Sequence, residues 1–353
     1  MSNDRKLATI DVIKDLAPIP NADNIVLARI RGWNVVVGVN EFSVGDKCVY
    51  YEIDSLLPCV GLYEFMRKTS YKKYGEVEGF RLATRKFKGQ LSQGLAIPLI
   101  NVAEAYNLPE LKNMEVGSNV TELLGVTKYE PPISKAMQGA CSGRFPFFIP
   151  KTDEERIQNL EQSTLEELIN TPLYATEKLD GTSITIYVKD GQVGLCSRNL
   201  ELKLDADNLY TQAFNQLNLK EKLEKYYEEH NQNLALQGEL IGPGIQGNRY
   251  DLKQYQVKWF TAYDITQGIR LDYEGMCTAL DQLGLSTVNT VPLVAVQVDG
   301  LRRTELDRWL SVADAPSKLN PNIRREGIVV RGKSNPNLSF KVINNKYLLK
   351  YQD

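Results

Sequence analysis

Three acidic residues interrupt apolar β-type segments in the second half of this chain. Glu239 lies inside Leu234–Ile241, Glu326 immediately precedes Gly327–Arg331, and Asp180 follows the segment Tyr174–Lys178 in an Asp-Gly turn. A carboxylate in a half-buried strand is costly unless it is paired or metal-bound. Taken singly, each has an ordinary reading: a buried salt bridge for Glu239, an exposed strand acid for Glu326, a chance hairpin for the turn at Asp180. Taken together, the three would make an all-oxygen site, direct or through water, suited to Mg²⁺ or Mn²⁺. Alternate residues of a strand share a face, so Lys178 and Asp180 are predicted to point the same way. A lysine there is a nucleophile only once its amine is deprotonated, which takes nearby positive charge or desolvation.

Much other chemistry is excluded. His230 is the only histidine, which removes histidine triads, HExxH zinc sites and histidine general bases. Cys48, Cys59, Cys141, Cys196 and Cys277 never reach CxxC spacing, and an odd, scattered set suits reduced thiols in the cytoplasm or another reducing intracellular compartment. No apolar run approaches the ~20 residues of a membrane helix, and the start, MSNDRKLATI, lacks a secretory signal's apolar stretch. No membrane association is expected, and a monomer is.

Net charge is −2, so the chain as a whole is no basic coat for nucleic acid. Locally, however, Arg67, Lys68, Lys72, Lys73, Arg81, Arg85, Lys86 and Lys88 face only Glu76 and Glu78, a balance of +6. Tyr71, Tyr74, Phe80 and Phe87 are interleaved. Cations that track phosphates beside rings that stack on bases make a nucleic-acid stripe; the alternative is a solvated hairpin whose rings face a core.

With 353 residues, two domains are expected. The first, 1–145 with its connector from Tyr129 to Pro150, is rich in short strands (Ile25–Ile30, Asn34–Val39, Lys47–Ile53, Gly79–Thr84, Gly94–Pro98), which fits a small barrel or sandwich. The second, 146–353, mixes helix and strand patterns. Ser163 to Glu166 spells a capping box opening a helix to Ile169. Strands are predicted at Tyr174–Lys178, Ser183–Val188, Leu234–Ile241, Lys258–Asp264, Gly327–Arg331 and Ser339–Ile343. Leu209 to Tyr226 has helical spacing, and helices are predicted at Tyr273–Leu283 and Thr304–Val312. The fold class is α+β.

Several stretches carry family resemblances. Pro18–Asp46, PIPNADNIVLARIRGWNVVVGVNEFSVGD, resembles the OB-type RNA-binding barrels appended to some tRNA synthetases. Along the second domain run Lys178-Leu179-Asp180-Gly181, Ser197-Arg198-Asn199, Gly238-Glu239, the aromatic pair Phe260 and Tyr263 before Asp264, Glu326-Gly327-Ile328-Val329-Val330, and Phe340-Lys341. In that order they resemble the signature of covalent nucleotidyltransferases, which include ATP-dependent ligases and mRNA capping enzymes. Pro150–Asn159, PKTDEERIQN, looks like an RNA ligase signature. Arg81–Gly94, RLATRKFKGQLSQG, looks like the barrel that precedes the catalytic domain in the fifth RNA ligase family. That family's OB-type barrel is N-terminal, whereas capping enzymes and DNA ligases carry theirs after the catalytic domain; little chain follows Lys341 here. The architecture implied is an N-terminal β-rich OB-type barrel followed by an α+β ligase adenylyltransferase domain.

The resemblance implies an ATP-dependent RNA ligase that forms lysyl-AMP on Lys178, moves AMP to a 5′-phosphate and seals when a 3′-hydroxyl attacks. Asp180, Glu239 and Glu326 would surround Mg²⁺ or Mn²⁺. Lys341 would meet the α-phosphate and Arg156 the terminal phosphates. Glu177 and Arg198 fall with the nucleotide-binding residues, Arg198 together with Asn199 near the ribose and the nucleic-acid end. Phe260 would stack on adenine, with plain core packing as the alternative. Ser339 stands where the family often has a lysine, and Lys346 is a substitute to examine. The expected partner is RNA or an RNA-containing duplex, nicked where the 3′-hydroxyl strand is RNA, with Arg85, Lys86 and Lys88 on it. The alternatives are a GTP-using capping-type transferase and a non-catalytic RNA-binding protein with a ligase-like fold.

Overall fold

The computed structural model describes residues 5–130, 139–285, 290–298 and 306–351. The middle of the expected connector and the first residues of the expected helix Thr304–Val312 lie outside them. The chain forms two compact units, one built from residues up to 132 together with 348 onward, the other from 133 to 347.

The first unit is made of short antiparallel strands. Lys47–Tyr51 is central to a three-stranded sheet between Ala8–Val12 and Leu95–Pro98, and Asp15–Pro18, Ile25–Ile30 and Trp33–Gly38 form a second meander. Trp33–Gly38 alternates buried and half-buried residues, the period-2 pattern of a strand with one face on a core. Trp33, Val35, Val37, Tyr50 and Ile30 fill one apolar cluster; Ile10, Val49, Tyr51, Tyr63 and Phe80 fill another. A third sheet carries Tyr71–Tyr74 and Val77–Arg81, and a separate hairpin pairs Arg85–Phe87 with Gln90–Ser92.

The second unit has two sheets. One has seven strands in the order Cys141–Arg144, Leu200–Leu202, Gln192–Cys196, Thr182–Lys189, Leu234–Ile241, Gln256–Asp264, Ile269–Arg270. The other has five: Glu155–Arg156, Ser339–Ile343, Gly327–Gly332, Leu173–Lys178, Leu293–Val298. Helices Leu209–Gln216, Leu219–His230 and Tyr273–Gln282 bury Phe214, Leu223 and Leu280 with Leu236 and Trp259 of the larger sheet. Trp309, on the helix Leu306–Ala313, packs edge-on against Phe340 of the smaller sheet at 5.7 Å.

Two local expectations change. The helix Gln162–Ile169 starts one residue before Ser163, with Glu161 at its N-cap and no capping side chain; Glu166 accepts from Gln162 Nε2 at 3.1 Å instead. The helical stretch after Leu209 is two helices, because Asn218 takes a left-handed backbone (φ 52°) that Asn tolerates better than most residues.

Candidate active site

Strand register explains how Lys178 meets its first acid. Leu173–Lys178 runs antiparallel to Gly327–Gly332 with Lys178 opposite Gly327. Glu326, the residue before that glycine, therefore falls beside the lysine, and Lys178 Nζ donates to Glu326 Oε1 at 2.6 Å. The strand ends at Lys178, and the Leu179–Gly181 segment carries the chain from the five-stranded sheet into Thr182–Lys189 of the seven-stranded one. There Ser183 pairs with Glu239. The Gly181 amide donates to Glu239 Oε1 at 3.0 Å. A Cβ on Gly181 would lie 2.4 Å from the Leu240 carbonyl oxygen, so this crossing requires glycine.

Asp180, one step past the strand end, is held by residues that sequence reasoning missed. Tyr347 donates its hydroxyl to Asp180 Oδ2. Arg249 Nε lies 3.0 Å from the same oxygen, while its Nη1 donates to the Tyr347 hydroxyl at 2.7 Å. The Asp180 amide donates to the Tyr250 hydroxyl at 2.8 Å, and Asn320 Nδ2 fixes the Arg249 carbonyl at 3.0 Å. The only signal for this clamp in the sequence is a repeated Asn-basic-Tyr triplet, Asn248 to Tyr250 and Asn345 to Tyr347.

The electrostatics follow from this crowding. Burial pulls the Lys178 ammonium down, but Glu326, Glu239 and Asp180 outweigh it and hold the group above its ordinary value. Burial pushes the Glu239 carboxyl up to about 8, with Glu326 and Asp180 adding to the rise and Lys178 and the Gly181 amide opposing it. Burial also raises the Tyr347 hydroxyl, with Asp180 adding to it.

A second group forms where Glu155–Arg156 pairs in parallel with Ser339–Ile343, which sets Arg156 opposite Lys341. Arg156 is buried. Lys341 Nζ donates to Asp153 Oδ1 at 3.0 Å, and Arg198 Nη2 approaches the other oxygen of Asp153 at 3.4 Å. Ser339 donates to Glu154, whose other oxygen takes Arg331 Nη2 at 2.7 Å. Lys346, the candidate substitute for a lysine at the Ser339 position, pairs with Asp314 at 2.6 Å. Phe260 packs with Leu179, Ile241, Tyr250 and Leu319, beside the Lys178 strand end, with Arg331 5.7 Å from its ring centre. Glu177 stands apart from the three acids: it accepts from the Lys318 amide at 2.7 Å, and burial raises its carboxyl.

The basic stripe of the first unit divides. Phe80 is fully buried, and Arg67 lies over the Tyr71 and Phe80 rings at 4.5 and 5.4 Å while paired with Glu64. That part faces a core, as the alternative reading had it. Arg85, Lys86, Phe87 and Lys88 are all exposed on the separate hairpin, with Arg85 Nη2 donating to the Thr69 carbonyl at 2.7 Å.

Comparison with known proteins now bears on these two units. An OB-fold domain model matches residues 7–99, and the RNA ligase family model matches 171–348. Solved structures of an RNA ligase from Naegleria gruberi align along the whole length. One, with AMP and Mn, is 39% identical, covers 99% of each chain and has a TM-score of 0.84. Another, a point variant with ATP and Mn, is 39% identical over 99% of this chain and 100% of that one, TM-score 0.83. A third, with pyrophosphate, gives 39%, 99% of each chain and 0.84. The chain belongs to the RNA ligase family. No curated protein sequence matches it.

The ligase thus has the expected α+β architecture, with the OB-fold at its N-terminal side. Its donor set bears on a metal. Among the described residues, no three His, Cys, Asp or Glu side chains converge closely enough to hold an ion by direct ligation. Asp180, Glu239 and Glu326 supply hard oxygens spread around Lys178, and a cation that keeps several of its waters fits such a set. The raised Glu239 carboxyl marks the same need, a buried acid with too little positive charge nearby.

Proposed function

We propose that this RNA ligase is ATP-dependent and works through covalent lysyl-AMP on Lys178, using Mg²⁺ or Mn²⁺. The observation that carries the reading is the Lys178 ammonium at a strand end with Glu326 at 2.6 Å and Glu239 and Asp180 in its field. To attack, the Lys178 ammonium releases a proton to solvent, its Nζ forms a bond to the α-phosphorus, and the bond to the departing pyrophosphate breaks. Asp180, Glu239 and Glu326 would hold a divalent cation through its waters, and that ion would supply positive charge to lower the lysine pKa and offset charge on the phosphate. Lys341 and Arg156, on paired strands, take the phosphates, Arg156 with the planar fork that suits bidentate contact. Phe260 stacks on adenine, Glu177 lines the nucleotide side, and Arg198 lies toward the nucleic-acid end. AMP then passes to a 5′-phosphate, and a 3′-hydroxyl displaces it.

Residues 1–145 serve the nucleic acid, and 146–353 carry the nucleotide chemistry and meet the nucleic-acid end there. The substrate is a nicked duplex whose 3′-hydroxyl strand is RNA, met partly by Arg85, Lys86 and Lys88. The ligase acts as a monomer in a reducing intracellular compartment, which suits five cysteines that form no disulfide with one another. The decisive experiment incubates the full chain with labelled ATP or GTP plus Mg²⁺ or Mn²⁺, then offers a nicked duplex with an RNA or DNA 3′-hydroxyl strand. A labelled band with ATP and sealing of the RNA-ended nick are expected. Labelling by GTP alone would make this a capping-type transferase, and no labelling with intact RNA binding would make it a non-catalytic binder.

A further inference from the structure

Phe147 is 98% exposed, whereas the next most exposed large apolar side chain among the described residues, Phe65, stands at 69%. A lone exposed ring is ordinary on a protein surface, but two observations separate this one.

The first is that its loop is fixed. The Phe145 amide donates to the Asn199 carbonyl at 2.9 Å, Ile149 is buried, and Gln237 Nε2 holds the Pro150 carbonyl at 3.0 Å. Phe148 packs edge-on to Tyr187 at 5.4 Å, and the Phe147 ring meets Phe148 edge-on at 5.8 Å. The flanking residues are tied down to the sheet, and Phe147 is held out to solvent.

The second is what it adjoins. Lys151 Nζ reaches Asn199 Oδ1 at 2.9 Å and lies 5.8 Å from the Phe145 ring centre. Next to Asn199 is Arg198, exposed and 3.4 Å from Asp153, which also takes Lys341 at 3.0 Å. Contacts thus join Lys341, Asp153 and Arg198, and the neighbouring Asn199 joins Lys151 to them; Lys151 in turn reaches Phe145, two residues before the exposed ring in the same short segment. Cations for phosphates followed by a ring open to solvent match a nucleic-acid strand better than a protein surface.

We propose that Phe147 is a base-stacking subsite for the RNA substrate, taking a nucleoside at the break, where the interrupted backbone lets a base face open. The inference rests on the RNA-joining reading above. It adds a contact on the catalytic unit that no matched motif contains. Every base has a π-face, so the subsite is tolerant of sequence.

The test uses the full chain with Phe147→Ala, Phe147→Leu and Phe147→Trp. Three measurements are made: labelling by ATP, which takes no RNA; sealing of a pre-adenylylated nick; and binding of the same duplex. A stacked base is worth about 1–3 kcal/mol, so alanine and leucine should weaken duplex binding roughly 5- to 150-fold. Sealing at low substrate should fall in step, tryptophan should match or exceed the wild type, and melting and labelling should not move. Wild-type sealing by the alanine variant, or full rescue by leucine, would overturn the stacking role, and so would loss of labelling equal to the loss of sealing. If the wild type seals nothing, the RNA-joining reading fails by itself. The added indole of Phe147→Trp then still decides the subsite, because quenching by an oligoribonucleotide supports it and unchanged emission refutes it.

Discussion

Lys178 Nζ lies 2.6 Å from Glu326 Oε1, a distance set by the pairing of Lys178 with Gly327. The acids around it favour the ammonium, so Lys178, as the proposed nucleophile, has to lose a proton before it attacks. Lys178→Ala should abolish covalent labelling by ATP while a cooperative melt survives. Lys178→Arg should fail equally, since a guanidinium keeps its proton. A persistent labelled band in either variant would put the nucleophile elsewhere.

Glu239 gives a pH signature. Its carboxyl is raised from 4.5 to about 8, so between those values the folded state binds more protons than the unfolded chain. Stability from this group is complete below about 4.5 and falls as pH rises toward 8. In chelator, the melting temperature should therefore decline across that window, and Glu239→Gln should flatten the decline while removing labelling. Mn²⁺ should raise the melting temperature more at pH 8 than at pH 6, because the carboxylate form binds the cation. A pH-independent effect of Mn²⁺ would separate Glu239 from the metal.

The clamp on Asp180 predicts a positioning effect. Tyr347→Phe removes the hydrogen bond and should cost about 1 kcal/mol of stability. Labelling should slow about tenfold in kcat, equivalent to about 1.4 kcal/mol, with little change in KM for ATP, because Asp180 is aimed by the clamp. Arg249→Lys should keep more activity than Arg249→Ala. Equal loss in both arginine variants, tracking melting temperature, would reduce the clamp to a structural brace.

The exposed hairpin predicts a division of labour. Reversal of Arg85, Lys86 and Lys88 to glutamate should leave ATP labelling near wild type and weaken duplex binding. For each phosphate deprived of its cation, the slope of log affinity on log salt should become shallower by about 0.9. An unchanged salt slope would make the hairpin plain solvated surface.

The strands that carry Glu239 and Lys341 were legible because apolar runs bounded by polar, turn-forming residues leave few alternatives: Leu234–Ile241 and Ser339–Ile343 have the predicted bounds. The gathering of Lys178, Glu239 and Glu326 was legible for the related reason that each acid needed a partner. Period-2 reasoning for Asp180 was insufficient, since the strand stops at Lys178 and the side chain turns to Tyr347 and Arg249. Those two lie 167 and 69 residues from Asp180, beyond any local pattern. The stripe from Arg67 to Lys88 misled in part, because composition does not say which side of a strand a ring takes; Phe80 went inward and Phe87 outward.

Asp153 touches Lys341 at 3.0 Å and Arg198 at 3.4 Å, so one carboxylate occupies two cations at once. Any phosphate that reaches either cation competes with this tethered anion, which is already at high local concentration. A single weak anion such as chloride gains too little from one cation to win that exchange. On the proposed reading, Asp153 is a tethered anion that a nucleotide phosphate has to displace from Lys341.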